Sequence, residues 1–244
     1  MTLTAAQVKK ELAALSDPAK AVLFPKFFKT APGQYGAGDR FIGVTVPKQR
    51  QAARRFLNLP LPELQRLLNS PVHEYRFTAL EILVAKYEMT EVEPLRAQLY
   101  RFYLRNRKFV NNWDLVDTSA PYVAGHFLYH YRRTAAKNIL NRLAHSKSIW
   151  DRRIAIVSTH YFIRQKNLEL PLAIAQILMH DRHDLIHKAL GWTLREVGKV
   201  SKSAELRFLS SNSKIMPRTA LRYAIERFST AERRRFLKTP RNLL

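Results

Sequence analysis

Wherever this chain is regular, it is regular at the period of a helix. Thr4-Ala5-Ala6-Gln7 has the pattern of a capping box, and Val8, Leu12 and Leu15 follow at helical spacing. Asp17-Pro18 ends that segment and opens a second. It carries Phe24, Phe27 and Phe28 and gives way to the loop from Ala31 to Asp39, which holds three of the seven glycines. Thr45 and Pro47 open a third helix running to about Leu57, and Pro60 and Pro62 punctuate a short fourth. Further helices are predicted over 72–87, 92–107 behind a Thr90…Glu93 capping box, 113–129, 134–145, 148–164, 170–180, 184–199, 203–210, 217–228 and 230–237. No alternating strand of useful length intervenes, so the class is all-α.

The helices also repeat. Arg76-Phe77-Thr78-Ala79-Leu80, Arg153-Ile154-Ala155-Ile156, Lys188-Ala189-Leu190 and Arg218-Thr219-Ala220-Leu221 each set a basic residue ahead of small and branched ones. The recurrence comes after about 77, 35 and 30 residues, and the Trp113 helix fills the double gap. The expected architecture is a right-handed α-solenoid of HEAT-like repeats, forming a single domain over residues 1–244. Equivalent positions on alternate helices would then line a concave basic groove.

Lysine and arginine number 42 against 19 acidic residues, a formal charge of +23. Solubility requires far less, so a polyanion is the first partner to consider. The excess is spread from Lys9 to Arg241 and is interleaved with aromatics, which favours a folded basic surface over a disordered arm. The absence of cysteine excludes disulfides, thiolate metal sites and a cysteine nucleophile, and it fits a reducing cytoplasm. The start is charged and amphipathic, with no signal-peptide apolar region. No apolar run approaches the roughly 20 residues that span a bilayer, so a soluble intracellular protein is expected.

One segment sets an indole and a carboxylate four residues apart. Counting about 100° per residue from Trp113, Asp117 falls near 40°, Ala120 near 340° and Ala124 near 20°, while Leu115, Tyr122 and His126 gather near 200°. The pair therefore turns away from the main apolar cluster, with alanines around it that leave space. Pro121 cannot donate to the carbonyl of Asp117, so a bend is expected just beyond. A seal between helices, with Asp117 paired to a surface cation, is the alternative. On 148–164, Arg153 falls among Ile149, Ile156 and Val157 and so needs an anion, whereas Arg152 lies on the more polar side with Ser148 and Thr159. Trp192 stands between Lys188 and Arg195, as suits a ring meeting sugar or base beside cations meeting phosphate, or a core tryptophan with snorkelling neighbours.

Other chemistries find little support. The glycine-rich loop follows no strand and precedes no Gly-Lys-Ser, which argues against a nucleotide cradle. His180, His183 and His187 with Asp181 and Asp184, like His126 and His130, match no metal-ligand spacing. No serine-protease-like constellation and no productive pair of carboxylates is evident.

Asn111-Asn112-Trp113-Asp114-Leu115-Val116-Asp117, Ser148-Ile149-Trp150-Asp151-Arg152-Arg153 and Lys188-Ala189-Leu190-Gly191-Trp192-Thr193-Leu194-Arg195-Glu196 are together similar to the alkylpurine DNA glycosylases of the bacterial AlkD type. The resemblance implies a monofunctional glycosylase of base excision repair, without cofactor or metal. Its substrate would be duplex DNA carrying cationic N3- or N7-alkylated purines, read through the backbone without inserting the base in a pocket. By the same resemblance Asp117 is the catalytic carboxylate, Trp113 and Trp192 flank the lesion's deoxyribose, and Arg153 holds the backbone. Arg76, Lys108, Arg152, Lys188, Arg195, Arg218, Tyr35 and Thr45 are the expected DNA contacts. Thr45 is a departure, standing where a family member has glutamine. A monomer of the bacterial cytosol or nucleoid is expected. The alternative is a non-catalytic helical-repeat module that binds nucleic acid by charge and shape.

Overall fold

Side-chain caps begin several helices where the sequence places them. In a computed structural model that describes residues 2–238, Thr4 and Gln7 close a reciprocal capping box on α1 (Ala5–Ala14), and Asp17 accepts from the Lys20 amide at the start of α2 (Pro18–Phe27). Arg241, at the far end of the basic spread, lies outside the described residues. The chain continues through α3 (Val46–Arg55), α4 (Leu61–Leu68), α5 (His73–Met89), α6 (Glu93–Arg105), α7 (Trp113–Ser119) and α8 (His126–Tyr131). It ends with α9 (Arg133–Ala144), α10 (Ile149–Arg164), α11 (Glu169–Leu178), α12 (Asp184–Val200), α13 (Lys202–Asn212), α14 (Arg218–Ala224) and α15 (Thr230–Lys238). Apart from an isolated bridge between Arg40 and Val72, the described residues contain no strand, and the fold is all-α.

Two expected caps differ. Val92, not Thr90, is the N-cap residue of α6, because the Thr90 hydroxyl donates instead to the Lys86 carbonyl, 2.7 Å away, at the end of α5. Thr45 occupies the N-cap position of α3 but makes no side-chain bond there. The helix expected over 113–129 is also interrupted. After α7 the ladder widens into a π-helical turn over Pro121–Gly125, at the proline that lacks an amide hydrogen.

The chain packs as two compact units, Met1–Ala124 and Gly125–Leu244. In the first, α3, α5 and α7 pack in succession, and α1 and α4 lie against α5. In the second, α8, α10, α12 and α14 form a row in which each touches the next, with α9, α11 and α13 packed against members of that row. This is the stacking of helix pairs that the repeat requires, and Arg153, Lys188 and Arg218 fall on successive members of one row.

Two glycines set the spacing of the row. A β-carbon on Gly125 would stand 2.3 Å from the Ser158 carbonyl oxygen of α10, and one on Gly191 of α12 would stand 2.3 Å from the Ala220 carbonyl oxygen of α14. In both cases the second clash is with the β-carbon of a tyrosine three residues on, Tyr161 or Tyr223. The same close crossing thus recurs at repeat-related positions. Alanine would raise helix propensity at Gly191 by about 1 kcal/mol, but backbone cannot retreat as a flexible side chain can. Gly191→Ala is therefore expected to destabilise the second unit by about 1–3 kcal/mol net, read as a lower midpoint of urea unfolding. An unchanged or higher midpoint would contradict the close packing of α12 on α14.

Candidate functional site

The Trp113–Asp117 pair is positioned by a helix that is capped, short and then interrupted. Asn112 is the N-cap residue of α7, its side-chain oxygen 2.9 Å from the Trp113 amide, and the Ser119 hydroxyl returns to the Leu115 carbonyl. Leu115 and Val116 are fully buried, so the opposite face carries Trp113 and Asp117, both half-buried. These two line a cavity of about 650 Å³. Its walls include Phe24, Phe27 and Phe28 of the α2 segment, Phe41, and Phe77 of α5, with Thr118, Gln49 and Arg50 supplying polar groups. The Phe28 ring stacks on Trp113 at 5.6 Å and 13°, and Phe27 meets it edge-on at 5.8 Å.

The space beside the pair therefore has another origin than expected. Ala120 and Ala124 are buried in the core and take no part in the lining; rings from α2 and the following loop define the cavity instead. Tyr122, placed opposite Trp113 by ideal helical counting, is also in the lining. One residue inserted by the π turn sets the positions after it back by up to about 100°, which brings Tyr122 round.

A buried chain of charges reaches the cavity wall, where His73, Glu74 and Asp114 belong to the lining. The two ring nitrogens of His73, at the start of α5, stand 3.0 Å from Asp39 Oδ2 and 2.8 Å from Asp114 Oδ2. Asp39 in turn accepts from Arg76 at 2.7 Å and from the Asn112 side-chain Nδ2 at 3.4 Å, and Asp114 Oδ1 accepts from the Leu115 backbone amide. The glycine-rich loop is thereby tied to α5 and to the first turn of α7, one turn from Asp117. Burial opposes a charge on His73, but the Asp114 carboxylate and the hydrogen bonds of both aspartates override it and raise its pKa to about 9. Burial also works against Asp39, whose carboxyl His73 and Arg76 nevertheless hold below the ordinary range. Glu74 is pushed up by burial, although the Ile42 and Gly43 amides donate to it at 3.0 and 2.8 Å.

His73, Asp39 and Asp114 were not singled out in the sequence. Asp114 lies inside the Trp113–Asp117 motif, but its partner His73 is 41 residues away and His73 in turn lies 34 residues from Asp39, pairings that no local spacing announces. Because the folded pKa of His73 lies above its ordinary 6.5, the stability it contributes is complete below about pH 6.5 and is lost as pH rises through about 9. Urea unfolding of the protein across that window is expected to show a falling midpoint, and His73→Gln to flatten the fall. A wild-type midpoint that stays level would mean that His73 is neutral.

In the second unit, Arg153 is buried and donates to the Leu185 carbonyl at 2.6 Å. Trp192 is half-buried, with its indole nitrogen 3.2 Å from Glu196 and His160 edge-on at 4.2 Å. His160 is bonded to the Thr193 hydroxyl; burial, then the positive charges of Arg164, Arg153, Lys199 and Arg195, lower its pKa to about 3. A neutral imidazole thus supports Trp192 among four cations. Lys188 pairs with Asp184 at 2.8 Å, Arg195 with Glu226, and Arg218 donates to the Leu237 carbonyl.

The expected DNA contacts separate into two groups. Arg76 is buried and committed to Asp39 and the Ser70 carbonyl, and Arg152 to Asp181 and the Ser146 and Lys147 carbonyls. Arg76 acts as an internal strut, which corrects its reading as a groove cation, since a guanidinium taken from water needs fixed acceptors and the fold provides them; Arg152 is half-buried and is held by its acceptors at the surface. Lys108 is exposed over the Phe109 ring, Tyr35 is half-buried in the loop, and Thr45 is half-buried between Val44 and Val46, which line the cavity. Among the described residues no group of three or more metal-binding side chains occurs; His183 serves instead as the N-cap residue of α12.

The comparisons with known proteins agree with this architecture. A solved structure described as "Predicted DNA alkylation repair enzyme from Enterococcus faecalis" superposes with a TM-score of 0.67 at 16% identity, covering 88% of this chain and 97% of its own. At that identity the likeness shows the fold. No curated protein matches the chain in sequence. The model of the family described as DNA alkylation repair enzyme matches residues 8–228, and the chain belongs to that family.

Proposed function

We propose that the protein is a monofunctional DNA glycosylase that hydrolyses the N-glycosidic bond of cationic N3- or N7-alkylated purines, such as 3-methyladenine and 7-methylguanine, in duplex DNA. The observation that carries this reading is the placement of Asp117 and Trp113 side by side on the wall of a cavity, in a chain of charge +23 that belongs to a DNA alkylation repair family.

The chemistry asks for few groups. An alkylated purine already bears a positive charge, so it departs without a general acid. As the C1′–N bond breaks, its electron pair passes to the base and neutralises it, leaving the sugar as an oxocarbenium ion. A carboxylate about 4 Å away, at an effective dielectric near 20, stabilises that ion by roughly 4 kcal/mol. An indole face adds about 0.5–2 kcal/mol. Water then bonds to C1′, and Asp117 takes its proton. Trp192 and Arg153 are assigned by the resemblance to the sugar and the backbone of the same substrate. Lys188, Arg195, Arg218 and Lys108 are assigned to phosphate, where they raise affinity without reading sequence. This work fits a monomer acting in the cytosol or nucleoid of a bacterium.

Asp117→Asn keeps the shape and removes the charge. It is expected to slow release of 7-methylguanine from methylated duplex by about 10³-fold, the rate equivalent of 4 kcal/mol, while duplex affinity and its salt dependence stay close to wild type. If wild-type protein binds duplex with a steep salt dependence but generates no abasic sites in alkylated DNA, the non-catalytic binding module is the correct reading.

A further inference from the structure

Between Asp117 and Glu169 the chain carries one acidic residue, Asp151, against nine lysines and arginines. Two of the nine, Arg152 and Arg153, are held by acceptors within the second unit. Three others are exposed and close together. Arg133 and Lys137 of α9 line a cavity of about 240 Å³ with Phe162 and with Asn167 just beyond α10, and Lys166 precedes that asparagine. Among the described residues no carboxylate pairs with any of the three, Glu169 of the same lining included, whereas Arg152, Lys188 and Arg195 are each paired with one. Lys166 is also held against its preference. It stands just past the α10 cap at φ +57°, a left-handed conformation that usually falls to glycine. Glycine would end the helix with less strain, so the ammonium group needs another reason to be there.

Aromatic rings reach the surface beside these cations. His126, Tyr129 and His130 of α8 form one cluster with Tyr161 of α10, their centroids 4.4 Å apart for His126–His130, 4.9 Å for His126–Tyr161 and 5.7 Å for Tyr129–Tyr161. His130 is exposed and the other three are half-buried. The rings and the cations are joined, since the Arg133 guanidinium lies 4.7 Å over the Tyr129 ring and Tyr129 meets Phe162 edge-on at 5.3 Å. A ring holds a guanidinium in place without neutralising it.

We propose that this face of the second unit, built from α8, α9 and α10, binds single-stranded DNA, with Arg133, Lys137 and Lys166 on phosphates and His130 and Tyr161 against bases. Cations beside surface rings match a strand whose bases are unpaired, because phosphate meets the charges while base faces meet the rings. A duplex keeps its base faces covered and would leave the rings unused. An acidic peptide would meet the cations and leave the rings unused as well. The inference does not depend on Asp117 and goes beyond release of bases from duplex: it gives the protein a separate hold on unpaired strand.

Fluorescence anisotropy of the full chain tests this with three labelled probes of equal length: a thymidylate oligomer, an abasic deoxyribose-phosphate strand and a duplex. Wild-type protein is expected to hold the thymidylate strand about tenfold more tightly than the abasic one. His130→Ala should remove most of that preference, and His130→Phe, which keeps a ring, should restore it. Arg133→Ala and Lys137→Ala should each lessen the slope of log affinity on log salt for the single strand by about 0.7, with duplex affinity within about twofold of wild type. Lys166→Gly separates binding from folding, since it should lessen the same slope while leaving the urea midpoint unchanged or higher. Equal losses for strand and duplex would overturn the proposal by making the patch part of a general basic surface. Equal affinity for thymidylate and abasic strands, or competition by polyglutamate as effective as that of thymidylate, would overturn it by leaving charge alone. The two readings fail separately: these variants should release 7-methylguanine from duplex at the wild-type rate, and Asp117→Asn should bind the thymidylate strand as wild type does.

Discussion

The first unit depends on a positive charge held almost entirely out of solvent. His73 lies between two carboxylates, and Arg76 closes the chain on Asp39, so two cations face two anions. Such a cluster adds little net stability, because each ion loses its hydration. Its value is geometric. Removing one member leaves a buried charge without its counterpart, at a cost of about 3–5 kcal/mol, so the loop, α5 and the first turn of α7 are held in one arrangement. Asp117 is one helical turn from Asp114 and is positioned by the same restraint.

The second unit is ordered by a different device. Glycines at repeat-related crossings bring α8 to α10 and α12 to α14 closer than any side chain would permit. Close packing of this kind fixes the rotation of α12, and with it the direction of Trp192. His160 contributes from α10 as a neutral ring against the indole, its charge suppressed by burial and by four nearby cations.

What the sequence made legible is what short-range physics controls. Capping residues and prolines located most helix starts, and the recurrence of a basic residue before small ones identified alternate helices of a stack. The Trp113–Asp117 spacing identified a shared face, which the structure bears out. Long-range pairings were not legible: the His73 network joins positions up to 73 residues apart, and only packing reveals it. Two expectations were altered by packing. Arg76 was expected to line the basic groove by its repeat position, yet it is buried against Asp39 and the Ser70 carbonyl. Ala120 and Ala124 were expected to leave the site open, yet the π turn and the rings around α2 shape it.

The proposed reaction sets a strongly basic protein an apparent contradiction, since +23 of distributed charge would repel the sugar cation that base release creates. Range resolves it. Bound DNA brings its own phosphates against the lysines and arginines, and salt screens what remains beyond about 8–10 Å. At about 4 Å a carboxylate acts almost unscreened and outweighs distant charges. Under the proposed reaction the basic surface can therefore provide affinity while a single aspartate controls the chemistry, provided that the aspartate is held still. Rigidity at α7 matters more for such a site than the number of catalytic groups, and the buried network behind it supplies that rigidity.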